Sequence, residues 1–150
     1  MQRYFSILLL IPFFVVASGC NDGKLKTYPV SGTITYQGEP LVGATVGFTP
    51  KSEGSGDGGF ARTDEKGFYQ LQTTQGRVNA GTTPGEYYVT ITKVEMVGTG
   101  VFRNDPYAGQ QEEMKPVPAI PAKYSSAEGG LSATVTKGKN VLNFDLGDDP

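Results

Sequence analysis

The sequence predicts an all-β protein, an antiparallel β-sandwich of about seven strands preceded by a cleaved signal helix. Apolar side chains alternate with polar ones at a period of two in several segments, which is typical of strands with one buried face. Turn-forming glycine and proline residues separate these segments at intervals of about eight to twelve residues, as in sandwich folds. The chain contains 21 glycines and 10 prolines, and no segment after its first 20 residues shows helical spacing of apolar residues.

The N-terminal segment predicts a secretory signal peptide over residues 1–19. Arg3 gives a cationic head, residues 7–16 form an apolar run, and small residues precede Cys20. This is the order of parts found in secretory signals. A transmembrane helix needs about 20 apolar residues, whereas this run has ten and is interrupted by Pro12. We therefore expect a cleaved segment and not a membrane span.

The sequence Ala17-Ser18-Gly19-Cys20 resembles the end of a bacterial lipoprotein signal, in which the cysteine is acylated and becomes the new N-terminus. Cys20 is the sole cysteine of the chain, and Ala17 stands where such signals usually have leucine. The alternative is an ordinary signal peptide cut beside an incidental cysteine. The resemblance implies lipidation at Cys20, residues 20–27 as a tether, and stable anchoring by more than one acyl chain.

The same resemblance implies a location in the cell envelope, with the membrane as a partner through the N-terminal lipid. In the known sorting pattern of these lipoproteins, aspartate directly after the cysteine retains the protein in the inner membrane. Asn21 occupies that position here, and Asp22 follows it. The outer membrane is therefore favoured over the inner membrane.

The first predicted strands form a hairpin. Residues 30–36 place Val30, Ile34 and Tyr36 on one face. Residues 37–40 follow as a turn, because glycine tolerates a positive φ and proline presets its own φ. Residues 41–48 continue as the second strand. The inward positions predicted for that strand are Val42, Ala44, Val46 and Phe48.

The middle of the chain adds a second tight turn and the clearest strand. Residues 60–63 and 67–72 flank a tight turn, in which Asp64 is expected to cap the turn and glycine to supply its backbone conformation. Residues 86–94 then alternate strictly between apolar and polar side chains. The positions of that strand predicted to face the core are Tyr87, Val89 and Ile91.

The alternation lapses from residue 95 to residue 130, where four prolines interrupt the sequence. We predict a connection without regular structure there, although it is long for a compact domain. Residues 131–136 and 140–146 close the fold, and residues 147–150 form a tail. The inward positions predicted for these last strands are Leu131, Ala133, Val135, Leu142, Phe144 and Leu146.

Three segments resemble the carboxypeptidase regulatory-like domain. Residues 38–48 read GEPLVGATVGF, close to the pattern GxPLxGATV.F; residues 61–69 read ARTDEKGFY, close to TDxxGxF; and residues 84–89 read PGEYYV, close to PGxYxV. The resemblance implies a transthyretin-like, Ig-like β-sandwich over residues 28–146. The segment 121–124 and the last two strands are similar to small planctomycete lipoproteins that carry this domain.

The composition argues against an enzyme. The chain contains no histidine, so Ser-His-Asp and Cys-His arrangements and zinc sites of histidine and cysteine are excluded. The resemblance implies that the hydrolase branch of the transthyretin-like fold uses histidines, so that branch is excluded too. Asp57, Asp64 and Glu65 could supply oxygens to calcium, but they lack the spacing of a calcium loop. We therefore expect no catalytic residues, no cofactor and no metal.

Two tyrosines in the long connection are the predicted binding residues. Tyr107 and Tyr124 lie among the prolines of residues 95–130, and exposed aromatic rings can stack on sugars or anchor a protein partner. The alternative for Tyr124 is that its ring plugs the end of the sandwich. A formal charge of −2 without a basic cluster argues against nucleic acid.

The sequence thus predicts a non-catalytic, lipid-anchored β-sandwich module of the cell envelope, with a structural or a binding role. Its partner would be an envelope protein or a glycan. The alternative is an accessory domain that binds carbohydrate or calcium for an enzyme encoded elsewhere.

Overall fold

A computed structural model describes residues 26–52, 56–78, 80–127 and 130–147. The predicted signal peptide, Cys20 and most of the tether lie outside the described residues, as do the last three residues of the tail. The described chain is an all-β sandwich of twelve strands with one short 3-10 helix at Ala122–Ser125, so the predicted fold class is confirmed. In this part of the chain, no helix has the length and apolarity needed to cross a bilayer.

The strands are numbered in chain order. Their bounds are β1 Val30–Tyr36, β2 Glu39–Pro40, β3 Thr45–Pro50, β4 Gly59–Arg62, β5 Phe68–Gln70, β6 Gln72–Thr73, β7 Gly85–Thr92, β8 Val94–Asp105, β9 Gly109–Pro118, β10 Ser132–Val135, β11 Asn140–Val141 and β12 Phe144–Leu146.

The first sheet is built around β1. The first half of β1 pairs with β5 and β11, and its second half pairs with β2 and β12. The pairings with β11 and β12 are parallel, whereas those with β2 and β5 are antiparallel. These two parallel pairings depart from the antiparallel arrangement predicted, because the end of the chain returns beside β1 in the same direction. Such a pairing joins residues more than 100 positions apart, so it cannot be predicted from the alternation of side chains along one strand.

The second sheet is antiparallel throughout, with the order β10-β7-β3-β4-β6. Its centre is β3, which pairs with β4 on one side and with β7 on the other. The two sheets enclose one core. Fully buried members of that core from both sheets include Val30, Ile34, Tyr69, Val46, Tyr87, Val89, Ile91, Val135 and Leu146.

Most of the predicted inward positions are buried or pack against the core. Val42 is an exception, since it is 42% exposed, and the prediction for it is wrong. A turn at Val42 and Gly43, with Gly43 at φ +70°, breaks the alternation. As a result, Leu41 is buried in its place, and the inward pattern resumes at Ala44.

The predicted turn at Asp64 is confirmed in atomic detail. The Oδ1 atom of Asp64 accepts hydrogen bonds from the backbone N–H groups of Lys66 (2.8 Å) and Phe68 (2.9 Å). Gly67 adopts φ +70°, a conformation that is costly for residues with a Cβ atom. These motif residues therefore serve the tight turn that joins β4 of the second sheet to β5 of the first sheet.

The expectation that residues 95–130 lack regular structure is wrong. Residues 94–118 form a hairpin of two long strands, β8 and β9, and the 3-10 helix follows. The prolines are compatible with this hairpin because Pro116 and Pro118 lie in β9, a strand with an open edge, where proline is tolerated. The strand count accordingly exceeds the predicted seven.

Candidate binding surface

The hairpin of β8 and β9, here called the arm, continues directly from the sandwich. Only Lys93 separates β7 from β8, and the carbonyl of Lys93 accepts a hydrogen bond from the N–H of Ala119 (2.9 Å), where the chain returns. All residues of β8 and β9 are exposed. A two-stranded hairpin is marginally stable alone in water, so the attachment to β7 helps to hold the arm in register.

The register of the arm separates its side chains into two faces, because residues directly opposite in a sheet share a face. Val94 lies opposite Pro118, Met96 opposite Pro116, and Gly98 opposite Met114, and beyond a bulge Phe102 lies opposite Glu112. Val94, Met96, Phe102 and Met114 are 60%, 57%, 60% and 47% exposed. The apolar side chains of this face, here called the apolar face of the arm, are Val94, Met96, Phe102, Met114, Pro116 and Pro118, and the Glu112 carboxylate lies among them beside Gly98.

The other face of the arm, here called the polar face, carries ion pairs and also the exposed side chains of Val97 and Val117. Arg103 donates to the Oε2 atom of Glu113 from its Nη2 (3.2 Å) and Nε (3.3 Å) atoms. At the root of the arm, Lys93 lies 3.0 Å from Glu95. Exposed pairs of this kind contribute about 0–1 kcal/mol each, so they orient side chains more than they hold the arm together.

A bulge interrupts the register between Gly98 and Phe102. Gly100 adopts φ +74° there, and its N–H donates to the Oε1 atom of Glu112 (2.8 Å). Bulges bend the strand that contains them and increase its twist. The outer part of the arm, with Phe102 and the tip, is therefore turned relative to the part beside the sandwich.

The tip of the arm carries Tyr107, one of the two predicted binding residues. The Oδ1 atom of Asp105 accepts from the N–H groups of Tyr107 (2.8 Å) and Ala108 (2.9 Å), which fixes the turn. The Tyr107 side chain is completely exposed. An aromatic ring held on a fixed turn in full contact with water is available to a partner.

Tyr124, the other predicted residue, is placed differently. It belongs to the 3-10 helix, is 8% exposed and packs in the core. Its hydroxyl donates to the carbonyl of Gly147 (2.8 Å) and accepts from the N–H of the same residue (3.1 Å). The ring thus fills the sandwich, as in the alternative stated for it, and the structure does not bring Tyr124 together with Tyr107.

A cleft of about 240 Å³ lies at the root of the arm. Val94 and Pro118 of the apolar face contribute to its wall, and Ile91 and Ile120 extend the wall onto the sandwich. The apolar face therefore continues without a break into this cleft. Its lining residues are Ile91, Thr92, Lys93, Val94, Pro118, Ile120, Pro121, Ala122 and Ser125.

The polar and ionisable side chains buried in the sandwich make hydrogen bonds that stabilise the fold. Burial raises the pKa of the Tyr69 phenol, and its hydroxyl donates to the carbonyl of Leu142 (2.7 Å). Every buried side-chain nitrogen or oxygen among the described residues has a hydrogen-bond partner. In the same residues, no three histidine, cysteine or acidic side chains are grouped so that they could hold a metal ion.

The apolar residues of the arm were missed by the sequence analysis. Met96, Phe102 and Met114 lie in a segment where charged residues and prolines blur the alternation. The signal that could have found them is the alternation of Val94 and Met96, which keeps the period of two of β7 but has the opposite parity to its core residues. Cys20, the remaining predicted site residue, lies outside the described residues.

No protein-family model matches the chain, and no curated protein sequence matches it. One solved structure, chlorocatechol 1,2-dioxygenase from Pseudomonas putida, resembles the chain with a TM-score of 0.33 and 16% sequence identity. The match covers 85% of this chain but spans only 60% of the dioxygenase chain. A similarity of this size has no bearing on activity.

Proposed function

We propose that this protein is a non-catalytic binding module of the cell envelope, held to a membrane by lipid at Cys20 and contacting its partner through the arm. The observation that carries the binding role is the apolar face of the arm, which is open to water along its whole length. Contiguous exposed apolar surfaces on soluble domains mark interaction sites. The resemblance to a carboxypeptidase regulatory-like domain supports a scaffold of this kind.

The absence of histidine from the sequence supports a non-catalytic role, because the common acyl-transfer and zinc chemistries need that side chain. The arm itself carries two basic and four acidic side chains, a net charge of −2. Such a surface repels nucleic acid and other polyanions. A protein surface with apolar character is the partner that this face suits best.

The anchor is tested by mass spectrometry of the N-terminal peptide from the native protein. The expected peptide begins at Cys20 and carries acyl chains, and the protein partitions with the membrane fraction. In Cys20→Ser the acylated peptide and the membrane association should both be lost. A soluble native protein with a free thiol at Cys20 would overturn the anchor.

The binding role of the arm is tested by site-specific photo-crosslinking in the envelope. A photoreactive side chain at Phe102 is expected to form an adduct with another envelope protein. The matched control is the same group at Lys137, an exposed position on the sandwich. Equal labelling from both positions, or no adduct at Phe102, would contradict the proposal.

One observation favours a glycan as the second candidate ligand. On the outer face of the second sheet, Phe60 and Tyr88 are 41% and 38% exposed. They lie on strands that flank β3, opposite Gly47 and Thr49, so their Cβ atoms are about 12 Å apart. Two aromatic rings on a flat, threonine-rich sheet can stack on sugar rings.

A glycan array separates this candidate from the first. Binding that disappears in Tyr88→Ala and persists in Val141→Ala, an exposed position on the other sheet, would support a glycan ligand. If the unsubstituted protein binds no glycan on the array, a glycan ligand is excluded. Calcium titration of the same protein tests the remaining accessory role.

A further inference from the structure

The two outer edges of the arm differ in their capacity to pair with another strand. Proline has no N–H, so Pro116 and Pro118 fit β9 only where that group would point away from β8. The outer edge of β9 therefore lacks two of its hydrogen-bond donors. β8 contains no proline over its 12 residues, so its outer edge keeps its donors and acceptors on both sides of the bulge, whereas at the bulge the N–H of Gly100 is bonded to Glu112.

Long edge strands of this kind are usually shortened, charged or covered, because they pair readily with other chains. The edge strands of the second sheet follow that rule, since β10 has 4 residues and β6 has 2. Val94 and Met96 lie opposite Pro118 and Pro116. Two residues opposite each other in an antiparallel pair direct their N–H and C=O groups the same way relative to the pair, inward or outward. Because the prolines face outward, Val94 and the alternate residues after it direct these groups outward from β8. The outer edge of β8 is thus a template for one more strand.

The sequence around β8 is complementary to itself when read in reverse about Thr99. Lys93 and Asp105 are equidistant from Thr99 and have opposite charges, as do Glu95 and Arg103. Met96 corresponds to Phe102, and Val97 corresponds to Val101. The full set of corresponding positions is Lys93 with Asp105, Val94 with Asn104, Glu95 with Arg103, Met96 with Phe102, Val97 with Val101, and Gly98 with Gly100.

We propose that β8 pairs antiparallel with β8 of a second copy, about a two-fold axis at Thr99, so that the two arms form one four-stranded sheet. In this register Glu95 lies opposite Arg103 of the second copy, and Lys93 lies opposite its Asp105. Each pair occurs twice because a two-fold interface is self-complementary. Opposite charges placed directly across two strands stabilise the pairing, whereas like charges oppose it.

The same register keeps the two faces of the arm intact. Met96 and Phe102 belong to the apolar face in both copies, and Glu95 and Arg103 belong to the polar face. Pairing therefore joins two apolar faces into one surface of twice the area. The axis at Thr99 falls in the bulge between Gly98 and Phe102, where Gly100 has φ +74°, so the two copies pair through the segments on either side of the bulge and not through Gly98-Thr99-Gly100.

The charge pattern selects a second copy over an unrelated strand. An unrelated peptide could pair with the backbone of β8, but the match of two opposite charges and two apolar pairs belongs to this sequence alone. The pattern would also suit a hairpin folded within one chain at Gly98-Thr99-Gly100. In the structure, however, residues 94–98 and 102–105, on the two sides of this segment, both pair with β9.

This dimer goes beyond the proposed function and does not depend on it. The apolar face of the arm contacts the envelope partner in that proposal, whereas the dimer uses the edge of β8. Loss of the dimer would leave the anchor at Cys20 and the crosslink from Phe102 to an envelope protein unaffected, whereas an adduct between Phe102 and a second copy of this chain would come from the dimer. The two proposals can therefore fail separately.

The first test is a charge reversal followed by its restoration, measured by sedimentation equilibrium of the full chain in detergent. Glu95→Arg and Arg103→Glu should each raise the dimer dissociation constant about tenfold or more, because two attractive pairs become repulsive. The double variant should restore the dimer. The double variant removes both ion pairs within one chain, Lys93–Glu95 and Arg103–Glu113. Restoration of the dimer would therefore come from the charge pairs between the two copies.

Lys115→Glu is the matched control, since Lys115 is an exposed charge on the neighbouring strand β9. This variant should leave the dissociation constant unchanged. A monomer across the micromolar range, or a double variant as weak as the single variants, would overturn the proposal.

The second test uses disulfides to read the register directly. Glu95 and Arg103 lie opposite Val117 and Gln111 of β9. In the variant Glu95→Cys with Arg103→Cys the two cysteines are therefore about 20 Å apart, too far for a bond within one chain. The expected product is a disulfide-linked dimer. In the variant Val97→Cys with Arg103→Cys, the two cysteines do not lie opposite each other in the proposed pairing. This variant should therefore form far less disulfide-linked dimer.

The unsubstituted chain, which retains Cys20, reports any background disulfide in this experiment. A disulfide within one chain would show the closed hairpin at Gly98-Thr99-Gly100 and would overturn the dimer. Equal linking of the in-register and out-of-register variants would overturn the proposed register.

Discussion

The sandwich and the arm are both made of antiparallel strands with alternating side chains, but they differ in where their apolar residues lie. Phe48 in β3 is 2% exposed, whereas Phe102 in β8 is 60% exposed. In β7 the alternation places Tyr87, Val89 and Ile91 in the core. In β8, which follows after a single residue, Val94 and Met96 alternate with the opposite parity, that of the outer residues of β7, and lie in water.

This difference shows that alternation determines which residues share a face and does not determine what covers that face. In the sandwich, the opposite sheet covers the apolar face and removes it from water. The arm extends from that sheet, so its apolar face has no covering strand among the described residues. The gain in free energy that accompanies burial in the sandwich is therefore still available to a partner of the arm.

Truncation of a phenylalanine in each region should give the largest contrast. The Phe48 ring lies 6.4, 5.9 and 6.4 Å from the ring centres of Tyr69, Tyr87 and Phe144. Phe48→Ala should lower the free energy of unfolding by about 3–5 kcal/mol, because it leaves a cavity in the core. Phe102→Ala should change it by less than about 0.5 kcal/mol. Urea denaturation measures both, and similar losses would mean that the arm packs as the sandwich does.

Tyr69 should make the sandwich sensitive to alkaline pH. Burial holds the pKa of its phenol above the usual value of 10.0, because the charged phenolate is disfavoured away from water. Below pH 10 the phenol is protonated in both states, and its contribution to stability is complete. As the pH rises above 10, the unfolded chain ionises first and stability falls. Denaturation measured from pH 8 to pH 11 should show this decline.

Tyr69→Phe is the control for the alkaline decline. This variant should lose the part of the decline that belongs to Tyr69. It should also cost about 1–3 kcal/mol at neutral pH, since the carbonyl of Leu142 loses its partner in a partly buried site. An unchanged alkaline profile would exclude Tyr69 as the titrating group.

The two tyrosines predicted as binding residues form a matched pair for hydrogen bonding. Tyr124→Phe should lower the free energy of unfolding by about 0.5–1.5 kcal/mol, because both hydrogen bonds to Gly147 are lost. Tyr107→Phe should have no measurable effect on unfolding, since its side chain is fully exposed. Thermal denaturation under the same conditions compares them. Equal melting temperatures would show that the Tyr124 hydroxyl contributes nothing to the fold.

Removal of the arm should have the smallest effect on the sandwich. Replacement of residues 96–116 by Asn-Gly would join Glu95 to Val117, which lie opposite each other at the root of the arm. The free energy of unfolding of the sandwich should stay within about 0.5 kcal/mol, because no arm residue beyond this point is buried. A larger loss, measured by urea denaturation, would mean that the arm stabilises the sandwich.

Local sequence was sufficient for most of the sandwich. The turn at Asp64 and the inward faces of β1 and β7 follow from residue type and spacing, because those elements are formed by neighbours along the chain. The parallel partners of β1 could not be predicted in this way, since β11 and β12 are more than 100 residues distant. The arm was missed because prolines in β9 resemble breaks, although they are compatible with an edge strand.

The same distinction applies to the candidate site. Tyr107 could be found because an aromatic residue between prolines stands out in a sequence. The burial of Tyr124 could not be predicted from the sequence. Its hydroxyl bonds to the backbone of Gly147, and only the fold brings these two residues together. The apolar face needed the register of β8 and β9, since its members belong to two strands.

The sequence by itself determined the all-β class, the alternation of the main strands and the turns that join them, because these depend on side chains a few residues apart. It also contains the self-complementary segment around Thr99, which can be read without any structure. Only the tertiary structure decided which alternating strands are covered and which are open. Coverage is a property of the opposing sheet, and no strand carries in its own residues the position of the surface that buries it.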